Sequence, residues 1–279
     1  MTVTVADKRA AFRRLHESGC FAIPNPWDVG SARYLQHLGF KALATTSAGF
    51  AWSIAKPDNA VQLEEVLEHL KAIASVTDIP VNADFEGGFA DAPEDVAQNV
   101  KRAVATGIAG LSIEDSRRNA DEPLYDFTHA VERIKAARRA IDANNSGAFL
   151  TGRSEGFIAG RPDLQETIRR LTAYAEAGAD CLFAPGLKTK EDIVAVVKAV
   201  APKPVNFIAL AGIFTLSDLA ELGVRRISIG GGLARAAWGG FMRAAKEIAD
   251  SGSFAGLAQG ASGAEINGLF KKDLAERKA

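Results

Sequence analysis

Two carboxylates stand close together in V-N-A-D-F-E-G-G-F-A (81–90), where an apolar run ends and a pair of glycines begins. Asp84 and Glu86 are not alone in this. Other apolar runs end on Glu114 and Asp115, on Arg153 and Glu155, and on Thr45, Thr46 and Ser47. A further run ends on Asn25, with Asp28 just beyond, and another carries Asn206. Acids gathered in one cleft repel one another and stay ionised only beside a cation or an arginine. Oxygen donors without His or Cys select a hard ion. Mg²⁺ fits, because it uses few carboxylates and keeps waters that a substrate can displace; Mn²⁺ is the alternative. Any single one of these acids could equally be an ordinary helix cap or loop residue.

The elements that must position them follow from local pattern. Strand-like runs occur at 20–25, 41–46, 79–85, 109–115, 147–153, 180–185, 204–209 and 225–231. They are short and rich in Val, Ile, Leu and Ala, as strands covered on both faces should be. Helical periodicity lies between them, at 63–76, 93–107 and 163–178 among others, and Gly39, Gly107, Gly178 and Gly223 stand where helices should stop. Eight strands alternating with about eight helices predict an α/β chain folded as a single (β/α)8 TIM-type barrel. An open doubly wound sheet is the alternative, but the first turn, N-P-W-D-V-G-S, lacks its G-x-G-x-x-G. In a barrel the C-terminal ends of the strands form one mouth, and the acids and the arginine fall there. Residues 1–251 are read as the barrel domain. Residues 252–279 are read as a C-terminal helical extension of the same domain, which packs on a neighbouring subunit or closes an end of the barrel.

Composition narrows the classes. The 279 residues are 47% hydrophobic and 24% charged, with a net charge of −1 and no basic run. That leaves no footprint for nucleic acid or an anionic membrane surface. No apolar stretch is long enough for a membrane span, and the start is polar, unlike a signal peptide. Cys20 and Cys181 lie far apart, inside predicted strands 1 and 6, and read as core residues of a protein in a reducing, cytoplasmic compartment. His16, His37, His69 and His129 all fall in predicted helices, so no histidine base is assigned. Trp27 and Trp52 are placed near the mouth, and Trp238 in the core or an interface. S-I-G-G-G-L-A-R-A (228–236) follows strand 8, where glycine-rich turns bind phosphate in many barrels. A phosphate-binding barrel is therefore the rival enzyme class; close packing at the rim is the plain alternative.

Five stretches together resemble the isocitrate lyase / phosphoenolpyruvate mutase superfamily. They are G-F-K-A-L-A-T-T-S-A-G-F-A-W-S-I-A-K-P-D (39–58), P-V-N-A-D-F-E-G-G-F (80–89), G-L-S-I-E-D-S (110–116), G-R-S-E-G-F-I-A-G (152–160) and K-P-V-N-F (203–207). The resemblance implies that Asp84, Glu86 and Glu114 hold the metal, Glu86 standing where relatives have an aspartate. It implies that Asp58 is the acid of a catalytic P-D pair and that Arg153 grips the substrate carboxylate. Amides around Thr46, Ser47 and Ala48, with Asn206, complete the expected substrate contacts. Gly87 and Gly88 are expected to let the backbone turn close to the ion. Members of the superfamily often exchange their last helix and form dimers or tetramers, so a homo-oligomer is expected, with contacts from Phe254, Leu257 and Phe270.

The chain departs from the lyases' K-K-C-G-H loop, for which it has S-R-R-N-A-D-E-P-L-Y-D-F (116–127) and no cysteine. Ala44 or Thr45 stands where those lyases have a tyrosine. The implied reaction is therefore metal-dependent cleavage of a C–C bond in a small 2-oxo or 2-hydroxy acid through a pyruvate-type enolate, as in oxaloacetate decarboxylation. Phosphonopyruvate or phosphoenolpyruvate P–C chemistry and a non-catalytic 2-oxo acid-binding protein are the alternatives. The 116–127 loop is read as a lid, with Arg117 or Arg118 on the distal carboxylate, against the alternative of a plain solvated loop.

Overall fold

The computed structural model describes residues 3–117, 119, 121–143, 145–209 and 212–278, so Arg118 lies outside the described residues. Its strands are β1 (Phe21–Ile23), β2 (Leu43–Ala44), β3 (Val81–Asp84), β4 (Gly110–Glu114), β5 (Phe149–Arg153), β6 (Cys181–Phe183), β7 (Val205–Ile208) and β8 (Arg226–Ser228). All eight join one parallel sheet in the order β1-β8-β7-β6-β5-β4-β3-β2, a nearly closed TIM-type barrel. At the β1/β2 seam Pro24 and Pro26 can donate nothing to a ladder. Ala44 N donates instead to Pro24 O at 3.0 Å. Asn25 stitches the seam: Nδ2 donates to Thr45 O at 2.8 Å, and Oδ1 accepts from Ile229 N at 2.9 Å.

The helices are α1 (Val5–Leu15), α2 (Val29–His37), α3 (Ser47–Ser53), α4 (Leu63–Val76), α5 (Pro93–Ala105), α6 (Phe127–Ala143), α7 (Leu164–Glu176), α8 (Lys190–Ala199), α9 (Leu216–Glu221), α10 (Gly232–Ser251) and α11 (Gly263–Lys278). The four expected stop glycines all take a left-handed φ just past a helix end. α1 plugs the N-terminal end of the barrel. Its Lys8 donates to the carbonyls of Ala74 and Thr77, and Arg9 donates to those of Val104, Ile108 and Ser146. Phe12 and His16 pack on Phe149. The other end is left for the site.

α10 stands off the barrel. Over 20 residues it buries only Ala234, and it leaves Trp238, Phe241 and Met242 exposed. α11 folds back on α2, where Asp273 accepts from Arg33 Nε at 2.7 Å in a buried ion pair. Among the described residues no helix is long and apolar enough to cross a membrane.

Candidate active site

β4 and β5 pair in register from Gly110↔Phe149 to Glu114↔Arg153, which sets Glu114 beside Arg153 at the barrel mouth. Asp84 ends β3, the next strand over. The Arg153 guanidinium therefore reaches three acids. Nη1 lies 3.3 Å from Glu114 Oε2 and 3.5 Å from Asp84 Oδ1, and Nε is paired with Glu155. Burial works against the arginine's charge, but Glu155, Glu114 and Asp84 outweigh it and hold its pKa above the ordinary value. Burial raises Glu114, Arg153 pulls it back, and Asp84 adds to the rise. Glu155 is pushed up to about 8, by burial first, against the pull of Arg153. One guanidinium is shared among more carboxylates than it can neutralise.

The centre opens into a cavity of about 840 Å³ whose wall includes Ser47, Asp58, Glu86, Glu114, Arg153 and Glu155. Asp58 follows α3; burial and then the charge of Asp84 raise its pKa, and the Ser47 side chain hydrogen-bonds it. Ser47 N donates to Asp84 Oδ2 at 3.0 Å, so that expected amide donor is already engaged. Thr46 is the N-cap of α3, its Oγ1 accepting from Gly49 N at 3.2 Å, and it lies buried behind the cavity. Ala48 packs toward Gly231.

Asn206 is not brought to the cavity. It points into the barrel, where Nδ2 donates to Ser228 Oγ at 3.0 Å and Oδ1 accepts from Arg226 Nε at 2.8 Å. The polar atoms expected to contact substrate are engaged with barrel partners in this arrangement. Asn206 lies below the strand's end, and its polar atoms serve a buried guanidinium that also donates to Thr151 Oγ1 at 3.0 Å.

The paired glycines also answer to a neighbouring arginine and to backbone geometry. Arg133 on α6, 1% exposed, donates to the carbonyls of Gly87, Ala90 and Asp91. A Cβ on Gly87 would come 3.1 Å from Arg133 Nη2, so the close approach at 87 is to this arginine. Gly88 is needed for its φ of +76°. The Arg133 guanidinium also lies 4.0 Å over the ring of Tyr125. The Tyr125 phenol donates to Asp91 and is pushed up to about 12 by burial and that bond.

Asp115, beside Glu114 in sequence, faces away. It accepts from Glu155 N at 2.8 Å, Arg170 Nη1 at 3.1 Å and Tyr174 Oη at 2.6 Å, tying β4, β5 and α7 together. The loop after β4 forms a hairpin: Ser116 pairs with Leu124, and Arg117 N donates to Pro123 O at 2.7 Å. Arg117 lines the cavity and pairs with Glu122. After β8, a Cβ on Gly231 would lie 3.3 Å from the Trp52 ring, so glycine there permits close packing at the rim.

The donor set fits a hard divalent ion in charge and in chemistry. It is oxygen-only, and its acids outnumber the arginines. Among the described residues no group of three His, Cys, Asp or Glu side chains is arranged to close on a metal. A magnesium-type ion, however, needs only one or two carboxylates besides water and substrate oxygens.

Residues 12–249 match the family model described as phosphoenolpyruvate phosphomutase. The crystal structure of a putative lyase/mutase from Burkholderia cenocepacia J2315 superposes with a TM-score of 0.93 at 46% identity, over 96% of this chain and 97% of that one. An uncharacterized protein of Mycobacterium tuberculosis is 33% identical over 222 residues, 79% of this chain and 81% of that protein. The oxaloacetate decarboxylase of Pseudomonas entomophila is 31% identical over 227 residues, 78% of this chain and 77% of that enzyme. The chain belongs to the phosphoenolpyruvate phosphomutase family and is an enzyme of the isocitrate lyase / phosphoenolpyruvate mutase superfamily.

Proposed function

We propose that the protein is a Mg²⁺-dependent lyase that cleaves a C–C bond of a small 2-oxo diacid through a pyruvate-type enolate, with oxaloacetate decarboxylation as the leading reaction. The observation that carries this reading is the Arg153 guanidinium, set among Asp84, Glu114 and Glu155 on the wall of an open polar cavity. Arg153 holds the substrate carboxylate as a fork. Asp84, Glu86 and Glu114 are the residues that would hold the ion, directly or through water. Bound there, Mg²⁺ would supply Lewis-acid stabilisation of the developing oxyanion. Asp58, on the same cavity wall, is the residue we assign to face the enolate carbon. Cys181 is buried at the start of β6 and Cys20 precedes β1, so neither thiol serves as an acid at the mouth. Decarboxylation suits this, because CO₂ leaves without a proton donor. The likeness to the Pseudomonas oxaloacetate decarboxylase supports the same substrate.

The test is pyruvate release from oxaloacetate, followed by NMR with Mg²⁺ present, with chelator, and in Glu114→Ala and Arg153→Lys. Turnover should vanish with chelator and with Glu114→Ala. Arg153→Lys keeps the charge but loses the fork, about 1.5–3 kcal/mol of charged hydrogen bonding, so kcat/KM should fall about 10–100-fold. An absence of pyruvate from the unmodified enzyme would refute the reading.

The exposed apolar face of α10, with Phe254 and Leu257 beyond it, supports a homo-oligomer, a dimer or tetramer, in which a second copy covers that face. Size-exclusion chromatography with light scattering should give a multimer whose assembly Phe241→Glu weakens. A monomer at all concentrations would overturn this.

A further inference from the structure

Behind the acidic wall of the site lies a small chamber. Its polar lining comes from Thr45, Thr46, Ser47, Asp84, Glu86 and His69, and it offers about 10 Å³ to the centre of a water molecule. One water needs about 10–15 Å³ on that measure and two to four polar partners. His69 reaches the chamber from α4. Its ring is stacked on Phe50, with centroids 3.8 Å apart and planes 13° apart, which fixes its orientation. Its Nε2 is buried and has no hydrogen-bond partner among the described residues. A buried ring nitrogen left without a partner is destabilising. Burial also pushes the His69 pKa down to about 4, so the ring is neutral near pH 7.

We propose that the chamber holds one structural water joining His69 Nε2 to the carboxylate wall of Asp84 and Glu86, and that His69 is thereby a positioning residue for that wall. The direction of the bonds follows from chemistry. Carboxylates only accept, so a water bonded to both Asp84 and Glu86 spends its two hydrogens on them and accepts from His69. The ring is therefore the Nε2–H tautomer. The Thr46 hydroxyl, whose oxygen accepts from Gly49 N, still has a proton to donate into the same space. Glu86 gains most from this support. Its backbone sits at φ 47°, a conformation that persists only where the surroundings dictate it.

The water and the tautomer do not depend on the reaction; the consequence for the metal rests on the function proposed above. The first arm is the unmodified protein. A crystal structure at high resolution should show a water peak in the chamber, and ¹⁵N NMR should show Nε2–H at His69. An empty chamber, or the Nδ1–H tautomer, overturns the proposal. The second arm uses His69→Phe, which keeps the stacked ring and removes the nitrogen, and His69→Gln, which restores an N–H. Mn²⁺ binding is read by electron paramagnetic resonance without substrate. His69→Phe should weaken it about 10-fold, the lower end of what support groups behind metal ligands contribute, and His69→Gln should recover most of the loss. Unchanged Mn²⁺ affinity in His69→Phe overturns the positioning role. If the unmodified protein binds no Mn²⁺, the metal reading fails instead, and the water peak and tautomer still decide this inference. If His69→Phe does not fold, His69→Gln and the first arm carry the test.

Discussion

Replacing Arg133 by methionine should uncouple the turn after β3 from the rest of the barrel. The arginine donates to three carbonyls of one turn, those of Gly87, Ala90 and Asp91. Hydrogen bonds from a charged donor contribute about 1.5–3 kcal/mol each, so three set a ceiling of about 4.5–9 kcal/mol. Methionine keeps the packing of the stem, and water entering from the cavity would restore part of the bonding. The expected loss is therefore about 3–5 kcal/mol. For a chain of this size that corresponds to a fall in Tm of roughly 10 °C. The same turn carries Glu86, and a displacement of about 1 Å at a catalytic group lowers turnover about 100-fold. Differential scanning calorimetry and pyruvate release read the two effects separately. Arg133→Lys should recover only part of either, since a compact ammonium does not reproduce the fixed spread of the guanidinium donors. A variant that loses less than about 2 °C and keeps its turnover would show that the arginine does not hold the turn.

Two further outcomes follow from buried charge. Asp115→Ala leaves Arg170 without one of its acids and Tyr174 without an acceptor, and should destabilise by about 3–5 kcal/mol in urea unfolding. His16 responds to pH. Its pKa is lowered to about 3, by burial first and then by Arg226, whereas the unfolded ring titrates near 6.5. The unfolded state therefore binds the extra proton as pH falls through about 6.5 and lower, so the His16 contribution is complete above that pH and is lost toward acid. Between about pH 6 and 4.5 the natural protein should lose up to about 1.4 kcal/mol per unit relative to His16→Gln, and parallel curves would refute the assignment.

The barrel was legible because its signals are local. Short apolar runs, helical periodicity and stop glycines each report on a few neighbouring residues, and their alternation admits few topologies. The register Glu114↔Arg153 then follows from both residues ending their strands. What sequence could not resolve was direction and depth. Neighbouring residues of a strand face opposite ways, so Glu114 and Asp115 could not both enter the mouth, and nothing local says which does. Asn206 lies on the expected strand but below the mouth, beside a buried Arg226 that reads in sequence like its half-buried neighbour Arg225. Arg133 looked like one more basic residue on a helix. Its partners lie more than 40 residues away, across α5.

The arrangement around Arg153 is a poor way to stabilise a barrel, and that is the strongest argument that it is retained for chemistry. A buried ion pair recovers its desolvation only when every charge is well matched. Here Glu114 and Glu155 both have raised pKa values despite the arginine, so their charged forms are under strain as they stand. On the same strands Leu111, Ile113 and Leu150 turn the other way, toward the helices, and show what these strands do where only packing is required. Asp115, one residue from Glu114, shows how a carboxylate is handled when it serves structure: it has two donors from α7 and a backbone amide. At the mouth Asp84, Glu114 and Glu155 instead share one guanidinium, supplemented by the Ser47 amide on Asp84 and the Ser116 hydroxyl on Glu114. The open cavity above them would admit the cation that the proposed function requires.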